Sequence, residues 1–188
     1  KIKMMNNIMP AIRLTLVCLV FFCGIYTMAV WSIAQLAPGQ GNGIIVSDSG
    51  NTQYINIGQS FISDKYFWPR PSVVEYNAAG SGGSNYGPSN PQHLEEVQAR
   101  IDTFLIHNPG VQKSEIPSDL VTASGSGIDP HISVQAAKIQ VKRIARIRNI
   151  SENDLAHMIE KYTEKPLFGL FGTERINVLK LNLELDSE

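Results

Sequence analysis

The chain has 188 residues, with 16 Lys and Arg against 17 Asp and Glu, a net charge of −1, and two cysteines, Cys18 and Cys23. That balance offers no basic excess for a nucleic-acid backbone. Both cysteines fall in one apolar run, so the rest of the sequence has neither disulfides nor thiolate metal ligands. The run itself, Leu14 to Leu36, is uninterrupted and is followed by a long polar remainder with no second stretch like it.

Those 23 positions carry no charge. A helix of that length reaches roughly 35 Å, enough to cross the hydrocarbon core with some tilt. The expected organisation is a cytoplasmic N-terminus over residues 1–11, a transmembrane helix over 12–36, a linker over 37–43 and an extracytoplasmic domain over 44–188. The stretch is longer than a signal-peptide apolar region, and Ser32-Ile33-Ala34-Gln35-Leu36-Ala37 offers no clean small-x-small cleavage site, so the helix is expected to stay as an anchor. Lys1, Lys3 and Arg13 precede it and no Lys or Arg follows until Lys65, which places the N-terminus inside and the domain outside. Cys18 and Cys23 read as small apolar fillers. Tyr26 and Trp31 sit toward the outer end, where amphipathic rings favour the headgroup level. The sequence opens on Lys1, and Met4 or Met5 is the expected translational start.

Beyond the anchor the balance is 13 Lys and Arg to 17 Asp and Glu, a net of −4. About 150 residues remain, a size that supports one core. Pro38 to Gly43 reads as linker. Gly43-Ile44-Ile45-Val46 and Gln53-Tyr54-Ile55-Asn56-Ile57 read as short strands around an Asp48-Ser49-Gly50-Asn51 turn. Phe67 to Pro91 is dense in Pro and Gly and reads as a long loop or series of turns. Asn90-Pro91 predicts a helix start, with Leu94, Val97, Ile101, Phe104 and Leu105 at helical spacing up to Ile106. A second helix is predicted from Ser133 to about Arg148, and a third from Ser151, whose Asp154 completes an S-x-x-D pattern. From Asn177 to Asp186, Leu179, Leu181, Leu183 and Leu185 alternate with Lys180, Asn182 and Glu184, which predicts a half-buried strand. The expected class is α+β: a single N-terminal transmembrane helix, then one small domain with a mixed sheet and about three helices.

Chemistry is sparse. His93, His107, His131 and His157 show no ligand spacing, so no metal is expected. Thr122-Ala123-Ser124-Gly125-Ser126-Gly127 is rich in serine but is not G-x-S-x-G, and Asp129 and His131 follow too closely to complete a triad with the same turn. Ser81-Gly82-Gly83-Ser84 and Ser124-Gly125-Ser126-Gly127 loosely fit a phosphate cradle of backbone N–H groups, yet neither carries G-K-[ST], and tight turns are the favoured reading of the glycines. The second predicted helix carries Lys138, Lys142, Arg143, Arg146 and Arg148, of which Lys138, Lys142 and Arg146 form a stripe at i, i+4, i+8 without a balancing acid. Such a stripe is either a solvated face or a docking surface for an acidic partner or anionic lipid headgroups. From these residues alone the domain is a binding or assembly module.

Several strings together resemble one family. They are Ile57-Gly58-Gln59-Ser60-Phe61, Tyr66-Phe67 with Arg70-Pro71-Ser72, and Tyr76-Asn77 leading to Ser81-Gly82-Gly83-Ser84-Asn85 and Ser89-Asn90-Pro91. Next come Leu120-Val121-Thr122-Ala123-Ser124-Gly125-Ser126-Gly127, Asp129-Pro130-His131-Ile132, Ala136-Ala137 and Gln140-Val141 with Arg143, Ala145 and Arg148. Val178 to Asp186 closes the pattern with Leu181-Asn182-Leu183 and Leu185-Asp186. The resemblance is to the C subunits of Kdp potassium-transporting P-type ATPases and covers nearly the whole chain. One departure is Tyr26-Thr27, where that family often has Tyr-Pro; a less kinked anchor is expected here.

The resemblance implies a non-catalytic subunit of a potassium uptake pump in the bacterial inner membrane. Its implied partners are a potassium-translocating subunit, a P-type subunit that hydrolyses ATP, and a small single-helix subunit. It also implies stabilisation of that complex and a catalytic-chaperone role that raises the ATP affinity of the ATPase subunit. The chain would hold no cofactor of its own, and ATP would reach it only through the complex. Ser124, Gly125, Ser126, Gly127 and Gln140 resemble a nucleotide-contacting signature, and Lys138, Lys142, Arg143 and Arg146 are the docking candidates. The positive-inside reading puts all of them outside the cytoplasm, which favours the assembly role over direct nucleotide contact. The other expectation kept open is a membrane-anchored extracytoplasmic binding module without a pump partner.

Overall fold

A computed structural model describes residues 2–48 and 51–187. The turn expected at Asp48-Ser49-Gly50-Asn51 includes Ser49 and Gly50, which lie outside the described residues. The chain divides into two compact units, residues 1–45 and 46–188.

The first unit is helical from Ile2 to Ala34: α1 (Ile2–Leu19), a π-helical segment (Val20–Tyr26) and α2 (Thr27–Ala34). Its Asn7–Ala34 stretch, 28 residues, is long and apolar enough to cross a membrane, and none of it is buried in protein. Three hydroxyls in it are satisfied by the helix itself. The hydroxyls of Thr15, Thr27 and Ser32 donate to the carbonyls of Ala11, Phe22 and Met28 at 2.9, 3.1 and 2.8 Å, as a side chain facing hydrocarbon requires. Thr27, which follows the π segment, donates its hydroxyl to the Phe22 carbonyl five residues back.

The second unit is α+β. Strands β1 (Ile45–Asp48) and β2 (Asn51–Tyr54) form a two-stranded sheet. A long irregular region follows, as its Pro and Gly content predicts, up to α3 (Pro91–His107). The Asn90 side chain caps α3 by accepting from the N–H groups of Gln92 and His93. Helix α6 (Glu152–Tyr162) starts at Ser151, whose hydroxyl accepts from the Asn153 N–H.

Three expectations are corrected. The predicted helix from Ser133 to Arg148 is two helices, α4 (Val134–Lys138) and α5 (Val141–Arg148). The break has a local cause: the Gln140 side-chain amide donates to the Ala136 carbonyl at 3.0 Å, so the Gln140 backbone N–H bonds Ala137 three residues back instead. The one expected sheet is two, since β3 (His131–Ile132), β4 (Thr163–Glu164) and β5 (Arg175–Asn177) form a separate three-stranded sheet in the order β3-β5-β4. Both of its pairings are antiparallel, with Ile132 and Thr163 flanking Ile176.

The third correction is the tail. Only Arg175–Asn177 is strand; Val178–Ser187 is helix α7. The alternating leucines satisfy a helix as well as a strand, because Val178, Leu179, Leu181, Asn182 and Leu185 are the residues it buries, at helical spacing. The Asn177 side chain decides between them by accepting from the Lys180 N–H at 3.1 Å, an N-cap placed at the end of β5. The core centres on Phe67, Ile132, Ile144, Leu155, Ile159, Ile176, Leu181 and Leu185, all below 2 % exposed except Ile132, which is 2 % exposed.

Candidate functional site

Residues 63–72 form neither helix nor strand, and Pro69 and Pro71 within them lack the N–H a ladder needs. Side chains supply the missing partners. The Asn182 amide accepts from the Phe67 N–H at 2.9 Å and donates to the Phe67 carbonyl at 3.0 Å. One residue on, the Gln140 amide accepts from the Trp68 N–H at 2.8 Å and reaches the Trp68 carbonyl at 3.4 Å. Two buried amides thus imitate a neighbouring strand for two consecutive residues, leaving Phe67 fully buried against the helices.

Arg143 links these clamps. Its Nε donates to the Asn108 side chain at 3.0 Å, one Nη to the Asp64 carbonyl, and the other to the Tyr66 carbonyl at 3.0 Å and to Gln140 Oε1 at 2.7 Å. The guanidinium also lies 4.8 Å from the Trp68 ring centroid and 3.8 Å from the Asp64 carboxylate. Burial lowers its pKa to about 10, against the pull of Asp64, so it remains charged at neutral pH. Arg148, at the end of α5, ties the same segment to α7: it donates to the carbonyls of Lys65 and Leu185, each at 2.8 Å, and pairs with Asp186 at 2.5 Å. Tyr66 completes this corner by donating to Asp186 at 2.7 Å.

The two glycine-rich segments meet each other. The Gly82 N–H donates to the Ser126 carbonyl at 2.9 Å, Ser72 Oγ donates to the Gly127 carbonyl at 2.6 Å, and the Ser124 N–H donates to Pro71 at 3.2 Å. Gly127 has φ +68°, and a Cβ there would stand 2.8 Å from the Gly82 carbonyl. The glycine is required by both backbone conformation and close approach. Of the nucleotide-contact candidates, Ser124 and Gln140 are buried, while Gly125 and Ser126 are exposed. Both ends of the Gln140 amide are engaged within the chain.

Among the docking candidates, Lys138 at the end of α4 and Lys142 and Arg146 on α5 are exposed, whereas Arg143 is 3 % exposed. Lys142 and Arg146 border a recess of about 270 Å³ that Glu152 also lines. Among the described residues no three His, Cys, Asp or Glu side chains stand where they could hold a metal ion. His107 pairs with Asp64 at 2.8 Å, and His131 lies 3.4 Å from both Asp129 and Glu164. Asp129 is held down to about pKa 2 by the His131 side chain first and then by the His131 N–H and Arg70, which outweigh burial. His131 and Asp129 lie beside β3, where Arg70 bonds Asp129 at 3.0 Å.

An aromatic groove of about 430 Å³ borders the clamped segment, lined by Phe61, Trp68, Tyr76, Phe104 and His107 among others. The Tyr76 hydroxyl donates to the Arg70 carbonyl at 2.7 Å, and burial pushes its pKa up to about 12.

Buried guanidinium and amide groups hold the 63–72 segment rigid, and the same chain carries an apolar helix long enough to cross a membrane, which together fit a membrane-anchored protein. The profile of the KdpC family, K+-transporting ATPase, c chain, matches residues 8–187. Potassium-transporting ATPase KdpC subunits of Bacteroides fragilis and Flavobacterium psychrophilum are 47% and 51% identical to the chain over 186 and 183 residues. Each alignment takes in 97% of this chain, with 97% and 98% of the respective relative. The KdpC subunit of Geobacter sulfurreducens is 45% identical over 189 residues, with 97% and 98% covered. The chain belongs to the KdpC family, accessory subunits of the Kdp potassium-transporting ATPase.

Proposed function

We propose that this chain stabilises a Kdp complex and raises the ATP affinity of its ATPase subunit without binding ATP itself. ATP hydrolysis belongs to a P-type subunit, potassium passage to a channel-like subunit, and a small single-helix subunit completes the assembly. The observation that carries this reading is the family match over residues 8–187. The engaged state of Gln140 supports an indirect route to ATP affinity, since its amide has no end left for a nucleotide. A domain that caps the potassium-conducting subunit can favour one conformation of the pump, and a nucleotide that prefers the same conformation then binds more tightly.

Co-purification from potassium-starved cells, followed by ATPase kinetics, tests the proposal. The chain is expected to bring down the other subunits with potassium-stimulated activity. A complex lacking it should show an ATP KM raised by about 5- to 150-fold, the usual span of allosteric coupling. Lys142→Glu with Arg146→Glu is expected to weaken recovery of the partners by roughly tenfold or more if the exposed stripe meets acidic groups. An unchanged KM without the chain, or a chain that emerges alone under gentle detergent, overturns the reading.

The proposed orientation puts residues 44–188 outside the cytoplasm, on the strength of Lys1, Lys3 and Arg13 before the apolar helix. Ser114 is exposed, and a Ser114→Cys variant lacking Cys18 and Cys23 should react with an impermeant maleimide in intact cells with a permeable outer barrier. Protection until lysis reverses the orientation.

A further inference from the structure

Between β4 and β5 the chain makes a short hairpin whose tip is apolar and turned to solvent. Leu167, Phe168, Leu170 and Phe171 are 63%, 85%, 80% and 67% exposed. Four large apolar side chains in five residues form a concentrated patch of a kind that soluble surfaces avoid unless it contacts something. The tip is also built to stay in this form. Leu167 and Phe171 exchange backbone hydrogen bonds at 2.9 and 3.0 Å, and the N–H groups of Gly169 and Leu170 bond the carbonyls of Pro166 and Leu167. Phe168 has φ +53°, a left-handed conformation that a bulky residue adopts only under constraint, next to Gly169 at φ +72°.

We propose that the 166–172 hairpin is a membrane-contact finger, whose Leu167, Phe168, Leu170 and Phe171 side chains enter the headgroup–acyl boundary of the bilayer crossed by the chain's own apolar helix. Three observations select lipid as the occupant. Turns that enter an apolar phase must satisfy their own backbone, and this tip already pairs most of its N–H groups internally. The apolar tip itself, residues 166–172, carries no charge; of the carboxylates at its base, Glu164 is paired with Arg175 and Lys180, and the exposed Lys165 offers one ammonium to phosphate headgroups beside the exposed Glu174. The bilayer is also within reach: the ten residues between Ala34 and Ile45 extend to roughly 35 Å, which holds the domain at high effective concentration near the surface. Both leaflets present such a boundary, so the inference depends neither on the orientation nor on the pump partners proposed above.

The test uses the full chain alone in phosphatidylethanolamine/phosphatidylglycerol vesicles, in a Cys18→Ala, Cys23→Ala background with Thr173→Cys carrying an environment-sensitive fluorophore. Thr173 adjoins the tip and is exposed, so the label replaces none of the four apolar side chains. The expected result is blue-shifted emission, quenching by doxyl lipids labelled near the headgroup, and shielding from aqueous iodide. Phe168→Ser with Phe171→Ser should abolish all three, while a label at Ser114 stays open to iodide throughout. Trp fluorescence of the doubly substituted chain checks that the fold is intact. A Thr173 label open to iodide in vesicles overturns the inference; if adding the other pump subunits then shields it, the occupant is an apolar recess of a protein.

Discussion

Replacing Arg143 by alanine is expected to remove about 3–5 kcal/mol of stability, because several buried acceptors would lose their donor at roughly 1–3 kcal/mol each. The loss comes less from the arginine than from what it leaves behind. Asn108, Gln140 and the carbonyls of Asp64 and Tyr66 would all lose a donor, and three of these groups belong to residues that shape the 63–72 segment. Arg143→Lys should recover little of the loss. The partners lie around a planar fork, and an ammonium on a flexible stem cannot reach four of them while stacking on Trp68. Urea unfolding of the full chain in detergent, followed by Trp68 emission, would report the change. With a slope of 1–3 kcal/mol per molar, the midpoint should fall by about 2 M. A midpoint within a few tenths molar of the parent would show that water replaces the guanidinium without penalty.

What the sequence could foretell follows from how local each signal is. The α3 and α6 starts were readable because a cap is a contact within three residues: Asn90 and Ser151 each satisfy N–H groups just ahead of them. The long N-terminal helix was readable because an uninterrupted apolar run of that length has a span set by bilayer thickness and no polar break inside it. The tail was not, because four leucines at spacing two fit the buried face of a helix almost as well as that of a strand. The deciding group, Asn177, lies before the pattern and not inside it. The break between α4 and α5 was equally hidden, since nothing in composition says that Gln140 will spend its amide on its own helix and on Trp68.

The same distinction explains the site. The family resemblance singled out Gln140 and the Ser124–Gly127 turn as residues, but not their neighbours. The structure brings Gln140 to a segment 72 positions away and Gly127 to the backbone of Gly82. Arg143 reads as a docking candidate beside the Lys138, Lys142 and Arg146 stripe because it falls on the same predicted helix. Its direction, inward, depends on Asn108 and the 64–66 carbonyls, contacts 35 to 79 residues distant in sequence. Long-range polar contacts of this kind have no periodic signature. A buried arginine is therefore indistinguishable from an exposed one in the sequence until the partner segments are placed.

Asn182 makes the second large prediction, because one side chain satisfies both backbone groups of a residue with no exposed surface. Asn182→Leu keeps the volume and is expected to cost about 3 kcal/mol, since the Phe67 N–H and carbonyl would stay buried and unpaired. Asn182→Asp separates the two bonds by pH. A carboxylate still accepts from the Phe67 N–H but faces the Phe67 carbonyl without a proton, whereas the protonated acid can donate to it as the amide does. Burial raises the folded-state pKa of such an acid above its unfolded value of about 3.9. The sign follows from that direction: below the unfolded pKa the aspartate variant should approach the parent in stability. As pH rises through the folded pKa the deficit should grow and then level off. Urea midpoints of parent and variant measured from pH 3 to pH 8 test this, with Asn182→Leu as the pH-independent reference. A deficit that does not change with pH relative to that reference would mean that the carboxylate turns away from Phe67, and that the amide clamp contributes through packing alone.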